Sequence, residues 1–170
     1  MPDEVPMAAA DLPLVRGARI DHLAVAVRDV AAAAHLFRDV LGGEFLFGGD
    51  VPDQGFRFVQ YRFPQGGKVE LVTPVADGFV SRFLDTRGEG VHHVTYRVQD
   101  IEAQVDRLRT AGVRLTLVNL ANEHWKEAFL HPRDAHGVLI QLAQSPHDED
   151  DTARHMLERF PEAVLLAANS

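Results

Sequence analysis

Hydrophobic and polar residues alternate in the same way in two distant segments, "HLAVAV" at residues 22–27 and "HVTYRV" at residues 93–98. A period of two is typical of a β-strand that buries one face. An aspartate follows each segment, and apolar residues at helical spacing follow the aspartate. Because aspartate is a favourable N-cap, each strand is predicted to lead into an amphipathic helix.

The two predicted helices bury stripes of apolar residues. The first stripe consists of Val30, Leu36, Phe37, Val40 and Leu41, and the second of Ile101, Val105 and Leu108. Each stripe ends shortly before a glycine, Gly42 or Gly112, as is common after a helix C-terminus. A third, shorter amphipathic helix is predicted within residues 75–90, between the two halves.

The two halves form an internal repeat. His22 and His93 are 71 positions apart, and the same offset separates Glu70 in "QGGKVELVT" from Gln141 in "HGVLIQLAQ". A constant offset over two separate blocks indicates a duplicated unit. We therefore predict an α+β fold of two βαβββ modules, about 17–74 and 88–145, whose sheets face each other across a half-open, barrel-like cleft. Together they form one domain, 17–145, and residues 146–170 are predicted to be a C-terminal appendage.

The faces of the strands predict a metal site. Successive strand residues point to opposite faces, so the apolar residues pack against helices while His22, Glu70, His93 and Gln141 share the cleft. His92 is expected on the helix-packing side. Two imidazoles, a carboxylate and an amide oxygen suit a divalent ion such as Zn, Ni, Co or Mn. The alternative is that each is a half-buried polar residue satisfied by backbone or water.

Charge and composition narrow the partners. The formal net charge is −8, which argues against nucleic acid and anionic membrane surfaces as partners. The chain has no cysteine, so disulfides and cysteine-ligated zinc are excluded. No apolar run approaches the roughly 18 residues of a membrane span. The N-terminal residues lack the basic start and apolar centre of a signal peptide, so we expect a cytoplasmic protein.

Several segments resemble the vicinal oxygen chelate superfamily, which includes glyoxalase I, extradiol dioxygenases, bleomycin-resistance proteins and methylmalonyl-CoA epimerase. They are "IDHLAVAVRDV", "GEGVHHVTYRVQDI" and "FLHPRDAHGVLIQL". With "VPDQG" and "SRFLDTRGEGVHH", they are most similar to the methylmalonyl-CoA epimerases. The resemblance implies one divalent metal per cleft, held by His22, Glu70, His93 and Gln141, and a reaction that stabilises an enolate. A small-molecule substrate, which could be an acyl-CoA, and a homodimer are expected.

Two positions depart from what the resemblance implies. The last ligand is usually a glutamate but is Gln141 here, and many epimerases have a second glutamate where this chain has Phe58. Glu70 therefore remains as the predicted catalytic proton shuttle, since neither glutamine nor phenylalanine can take a proton. The residues predicted to contact substrate are Phe58, Arg97, His124 and Trp125, although Arg97 could instead pair with a neighbouring acid.

Three functions fit these features. The first is a metal-dependent isomerase or lyase of the epimerase and glyoxalase type. The second is a non-haem iron dioxygenase, since His22, His93 and Glu70 could form the two-histidine, one-carboxylate set that such enzymes use. The third is a metal-free protein that binds or sequesters a small molecule, which aromatic cleft residues would suit.

Overall fold

In the computed structural model, which describes residues 15–146, each half of the chain folds as a strand, a helix and three further strands. The first half contains β1 (Arg19–Ala26), α1 (Val30–Ala34), β2 (Glu44–Val51), β3 (Phe56–Arg62) and β4 (Lys68–Pro74). The connecting helix is α2 (Phe79–Arg87). The second half contains β5 (Gly90–Arg97), α3 (Ile101–Thr110), β6 (Leu115–Asn119), β7 (Lys126–Leu130) and β8 (Ile140–Gln144). Residues 147–170 of the predicted appendage lie outside the described residues.

All eight strands form one mixed sheet in the order β2-β3-β4-β1-β5-β8-β7-β6. The order is symmetric about the seam between β1 and β5, which pair antiparallel, while β1 and β4, like β5 and β8, pair parallel. The α+β glyoxalase-like fold is confirmed, with the sheet open and not closed into a barrel. Backbone hydrogen bonds between β1 and β5 join the two modules of one chain edge to edge, so their sheets form one continuous sheet.

Helices α1 and α3 pack on the face of the sheet away from the predicted ligands. Val27 and Leu71 pack with Ala34 of α1. The buried stripe of α3 packs with Ala128 and Leu142 of the second module, as its spacing predicts. Fully burying one such aliphatic side chain contributes about 1.5–3 kcal/mol, which fixes the orientation of the strands that carry the cleft residues. Val138, which lies in the segment before β8, is 40% exposed.

Helix α2 packs on the opposite face of the sheet and closes one end of the cleft. Its Val80 and Leu84, which are 1% and 2% exposed, contact a core that contains Ala26, Phe58 and Val72. The predicted connecting helix is confirmed, and its place explains why Phe58 is buried rather than open to solvent. Among the described residues no helix is both long enough and apolar enough to cross a membrane.

The first predicted helix does not bury its whole apolar stripe. Helix α1 is followed by a π-helix, His35–Val40, in which Leu41 donates its amide hydrogen to Leu36 O, five residues earlier. The wider turn changes the angle between successive side chains. Phe37 therefore packs on the core, whereas Leu36 and Val40 are 47% and 62% exposed.

Candidate active site

The cleft between the modules contains a cavity of about 350 Å³. Polar side chains of the four central strands face it from one side, and the aromatic rings of Phe58, Phe79 and Phe129 form much of the rest of its wall. A mostly apolar cavity with a few convergent polar groups is typical of a small-molecule site. An open groove beside α2 shares Phe79 and Glu127 with this cavity.

Three of the predicted ligands lie together in this cavity. One donor atom each of His22 (β1), Glu70 (β4) and His93 (β5) lies within 4.8 Å of the other two. Gln141 (β8) adjoins them, because the Thr95 hydroxyl lies 3.0 Å from His22 Nε2 and donates to Gln141 Oε1 at 2.5 Å. Two imidazole nitrogens and a carboxylate oxygen at this spacing fit a divalent transition-metal ion, and the Gln141 amide oxygen is an adjacent fourth donor.

Asp21 holds the ring of His22 in one orientation. Its Oδ1 lies 2.7 Å from His22 Nδ1, which leaves Nε2 to face the cavity. Burial alone would raise the pKa of Asp21, but the hydrogen bond from His22 and the ammonium of Lys68, 3.0 Å away, lower it well below its ordinary value. Asp21 is therefore a carboxylate that fixes the tautomer of His22, as outer carboxylates do for histidine ligands of metals.

His93 is a neutral imidazole at physiological pH. Its burial lowers its pKa well below the ordinary value, and the neighbouring His22 and His92 add to the effect. The rings of His22 and His93 are 5.9 Å apart and nearly perpendicular. Because only a neutral imidazole offers a lone pair to a metal, this environment favours ligation.

His92 does not lie where the alternation predicts. A β-bulge in the pairing of β5 with β1 leaves His92 as the extra residue between Val91 and His93. Both imidazoles consequently point to the cleft side, and their Nδ1 atoms are 2.8 Å apart. His92 still packs on a helix, but on Phe79 and Phe83 of α2, and this burial lowers its pKa to about 4.

Glu127 is a cleft residue that the sequence analysis did not single out. It is 8% exposed and lines the cavity, and its Oε2 accepts hydrogen bonds from Gln141 Nε2 at 2.7 Å and Trp125 Nε1 at 3.2 Å. Burial raises its pKa, and the charge of Glu70 acts in the same direction. The one signal in the sequence was a glutamate within the apolar strand segment "EAFL".

The predicted substrate residues divide into two groups. Phe58 and Trp125 line the cavity. Arg97 does not line it, because its Nε lies 3.8 Å from Asp21 Oδ2 and its guanidinium stacks 5.1 Å from the Trp125 ring. His124 is exposed on the loop before β7 and is also absent from the cavity wall. Arg97 thus pairs with a buried acid, the alternative that we considered for it.

Comparison with known proteins agrees with this geometry. A sequence profile of the glyoxalase/bleomycin resistance protein/dioxygenase superfamily matches residues 21–129. The chain belongs to this superfamily. Within the superfamily it is similar to the ethylmalonyl-CoA/methylmalonyl-CoA epimerase of Cereibacter sphaeroides, with 38% identity over 74% of this chain and 97% of that protein.

This chain is also similar to solved structures of methylmalonyl-CoA epimerases. The crystal structure of methylmalonyl-CoA epimerase from Mycobacterium tuberculosis superposes with a TM-score of 0.69 and 32% identity, covering 75% of this chain and 88% of that one. A variant of the Streptomyces coelicolor methylmalonyl-CoA epimerase, in complex with 2-nitronate-propionyl-CoA, superposes with a TM-score of 0.67 and 31% identity. That alignment covers 76% of this chain and 98% of the other.

Proposed function

We propose that this protein is a metal-dependent epimerase that acts on a methylmalonyl-CoA-like acyl-CoA thioester. The observation that carries the proposal is the convergence of His22, Glu70 and His93 within 4.8 Å inside an aromatic-walled cavity. The identity of 38% to an epimerase of this substrate class supports it. The expected homodimer and the cytoplasmic location remain predictions.

His22, Glu70, His93 and Gln141 would hold the ion. A divalent ion bound there would supply a positive charge that polarises the substrate's thioester carbonyl and lowers the cost of forming an enolate. The residues of the chain do the rest: Asp21 orients His22, and Gln60 Nε2 donates to Glu70 Oε2 at 2.7 Å, so both groups are fixed before substrate binds. Such preorganisation is a large part of electrostatic catalysis.

Glu70 is the proposed proton shuttle. Its side chain is 12% exposed and faces the cavity, so its carboxylate can meet a proton on the α-carbon of a bound acyl group. The apolar wall around Phe58 would contact the small alkyl substituent of that carbon and exclude water from it. The open groove beside α2 offers a path by which the long coenzyme A portion would reach solvent.

Metal analysis and an epimerisation assay together test the metal and the reaction. Purified wild type should hold about one divalent ion per chain and interconvert the two epimers of methylmalonyl-CoA, and a chelator should stop the reaction until metal is restored. His22→Ala and His93→Ala should lose the metal. His35→Ala is the matched control, since His35 is exposed on the π-helix and pairs with Asp39.

Metal content, acyl-CoA binding and oxygen consumption separate the alternative functions. A wild type that holds no metal but binds acyl-CoA would favour the sequestration function. The set of His22, His93 and Glu70 would also suit a non-haem iron dioxygenase. Copurified iron together with oxygen consumption in the presence of a catechol would favour that function and contradict the epimerase.

A further inference from the structure

The cleft contains a second carboxylate in the module opposite Glu70. Glu127 stands on β7, is 8% exposed and borders the same cavity as Glu70. Among residues 15–146, the side chains that donate hydrogen bonds to Glu127 are those of Gln141 and Trp125, which are both neutral. Burying a carboxylate without a basic partner is costly, so a purely structural role would be better filled by a neutral residue.

Strand register gives Glu127 an exact counterpart in the first module. Phe58 of β3 lies opposite Val72 of β4, and Glu127 of β7 lies opposite Ala143 of β8. Val72 and Ala143 are 71 positions apart, as Glu70 and Gln141 are. Glu127 therefore occupies in the second module the place that Phe58 occupies in the first.

At two related pairs of positions, the glutamate of this chain lies in the module opposite the one that the resemblance implies. The resemblance described above leads one to expect carboxylates at positions 58 and 141, where this chain has Phe58 and Gln141. Their counterparts across the seam, positions 127 and 70, are the glutamates. At these four positions the cleft thus has two glutamates, one from each module.

Gln141 is explained by the same arrangement. Its amide nitrogen donates to Glu127 Oε2 at 2.7 Å, while its amide oxygen accepts from Thr95. A glutamate at position 141 would have no hydrogen to donate and would place a second negative charge against Glu127. An amide is therefore the residue type that can adjoin the metal cluster and hold the Glu127 side chain at the same time.

We propose, on the basis of the function proposed above, that Glu127 is a second proton-transfer group, acting on the face of the substrate α-carbon opposite Glu70. In one direction the Glu70 carboxylate takes the α-proton, and the C–H electron pair enters the enolate. The Glu127 carboxylic acid then gives its proton to the other face, and the enolate pair forms the new C–H bond. One proton is lost and one gained, so the reaction needs no oxidant or reductant. The reverse direction exchanges the two roles.

The test follows each epimer of methylmalonyl-CoA separately in deuterium oxide. Wild type should interconvert the epimers and incorporate deuterium from both. Glu127→Gln, at unchanged metal content, should lower epimerisation by about 10² to 10⁴, the range that general acid–base groups supply. It should still exchange the α-proton of the one epimer whose C–H bond faces Glu70. Glu127→Asp should recover part of the epimerisation.

Controls separate a catalytic from a structural role. Glu123→Gln, on the exposed loop four residues earlier, should behave as wild type. Equal loss of exchange from both epimers in Glu127→Gln, with metal retained, would mean that Glu127 only positions Gln141 and would overturn the proposal. Wild-type epimerisation by Glu127→Gln would also overturn it. A wild type that neither exchanges nor epimerises either substrate would instead refute the proposed function, and the inference with it, before any variant is made.

Discussion

Replacing Asp21 by asparagine should weaken metal binding and destabilise the fold together. Asp21 is buried at 7% exposure and serves three groups at once, with His22 Nδ1 at 2.7 Å, Lys68 Nζ at 3.0 Å and Arg97 Nε at 3.8 Å. Asparagine keeps the shape but removes the charge. It can also present its amide hydrogens to His22 and so favour the wrong tautomer.

The expected losses of metal affinity and of folding stability both follow from this geometry. Loss of a carboxylate that orients a histidine ligand typically lowers metal affinity 10- to 100-fold, which is about 1.4–2.7 kcal/mol. Removing one partner of a buried ion pair costs about 3–5 kcal/mol, because the other charge remains buried. The side chains of Lys68 and Arg97 are 9% and 10% exposed and could reach water after a small shift, so we expect about 3 kcal/mol. For a domain of this size that corresponds to a melting temperature lower by about 6–12 °C.

Calorimetric zinc titration and urea unfolding of the metal-free protein measure the two effects independently. Asp106→Asn is the matched control, since Asp106 is exposed on α3 and should change neither quantity. A variant Asp21→Asn that binds metal within twofold of wild type would refute the argument that Asp21 positions His22. Unchanged stability of the metal-free variant would refute the charge-pairing argument alone.

Two further predictions concern the fold. Leu84 of α2 is 2% exposed and lies in the core, so Leu84→Ala should lower the free energy of unfolding by about 2–5 kcal/mol. Leu36 on the π-helix is 47% exposed, so Leu36→Ala should change it by less than about 0.5 kcal/mol. Equal losses of stability in urea unfolding would contradict the observed burial of Leu84 and exposure of Leu36. Asp50→Asn should cost about 0.5–1 kcal/mol at pH 7, because hydrogen bonds from Arg57 lower the pKa of Asp50. A carboxyl group whose pKa is lower in the folded than in the unfolded state stabilises the fold at pH values above its unfolded pKa, and this stabilisation is lost as the pH falls through the folded pKa. The difference in stability between wild type and Asp50→Asn should therefore vanish in strong acid. A difference that persists there would show that the loss is not electrostatic.

Much of the fold could be predicted from the sequence because its signals are local and occur twice. The alternation in β1 and β5 and the aspartate caps at Asp29 and Asp100 depend on nearby residues. The constant offset between Glu70 and Gln141 shows that these local signals occur twice. Strand geometry then dictates that residues on one face of neighbouring strands lie side by side. The sharing of the cleft by His22, Glu70 and His93 follows from that geometry.

Other features of the site depend on contacts between distant strands and do not follow from the constant offset of the repeat. Glu127 is 69 positions from its counterpart Phe58, not 71, because Glu127 and its strand partner Ala143 are 16 positions apart, whereas Phe58 and its partner Val72 are 14 apart. The β-bulge that turns His92 into the cleft depends on the pairing of β5 with β1, which lies far away in the chain. The partner of Arg97 was likewise settled by packing, since Asp21 reaches it only across that seam. Local periodicity thus determined which strands carry the site, while register and pairing between distant strands determined which side chains meet in it.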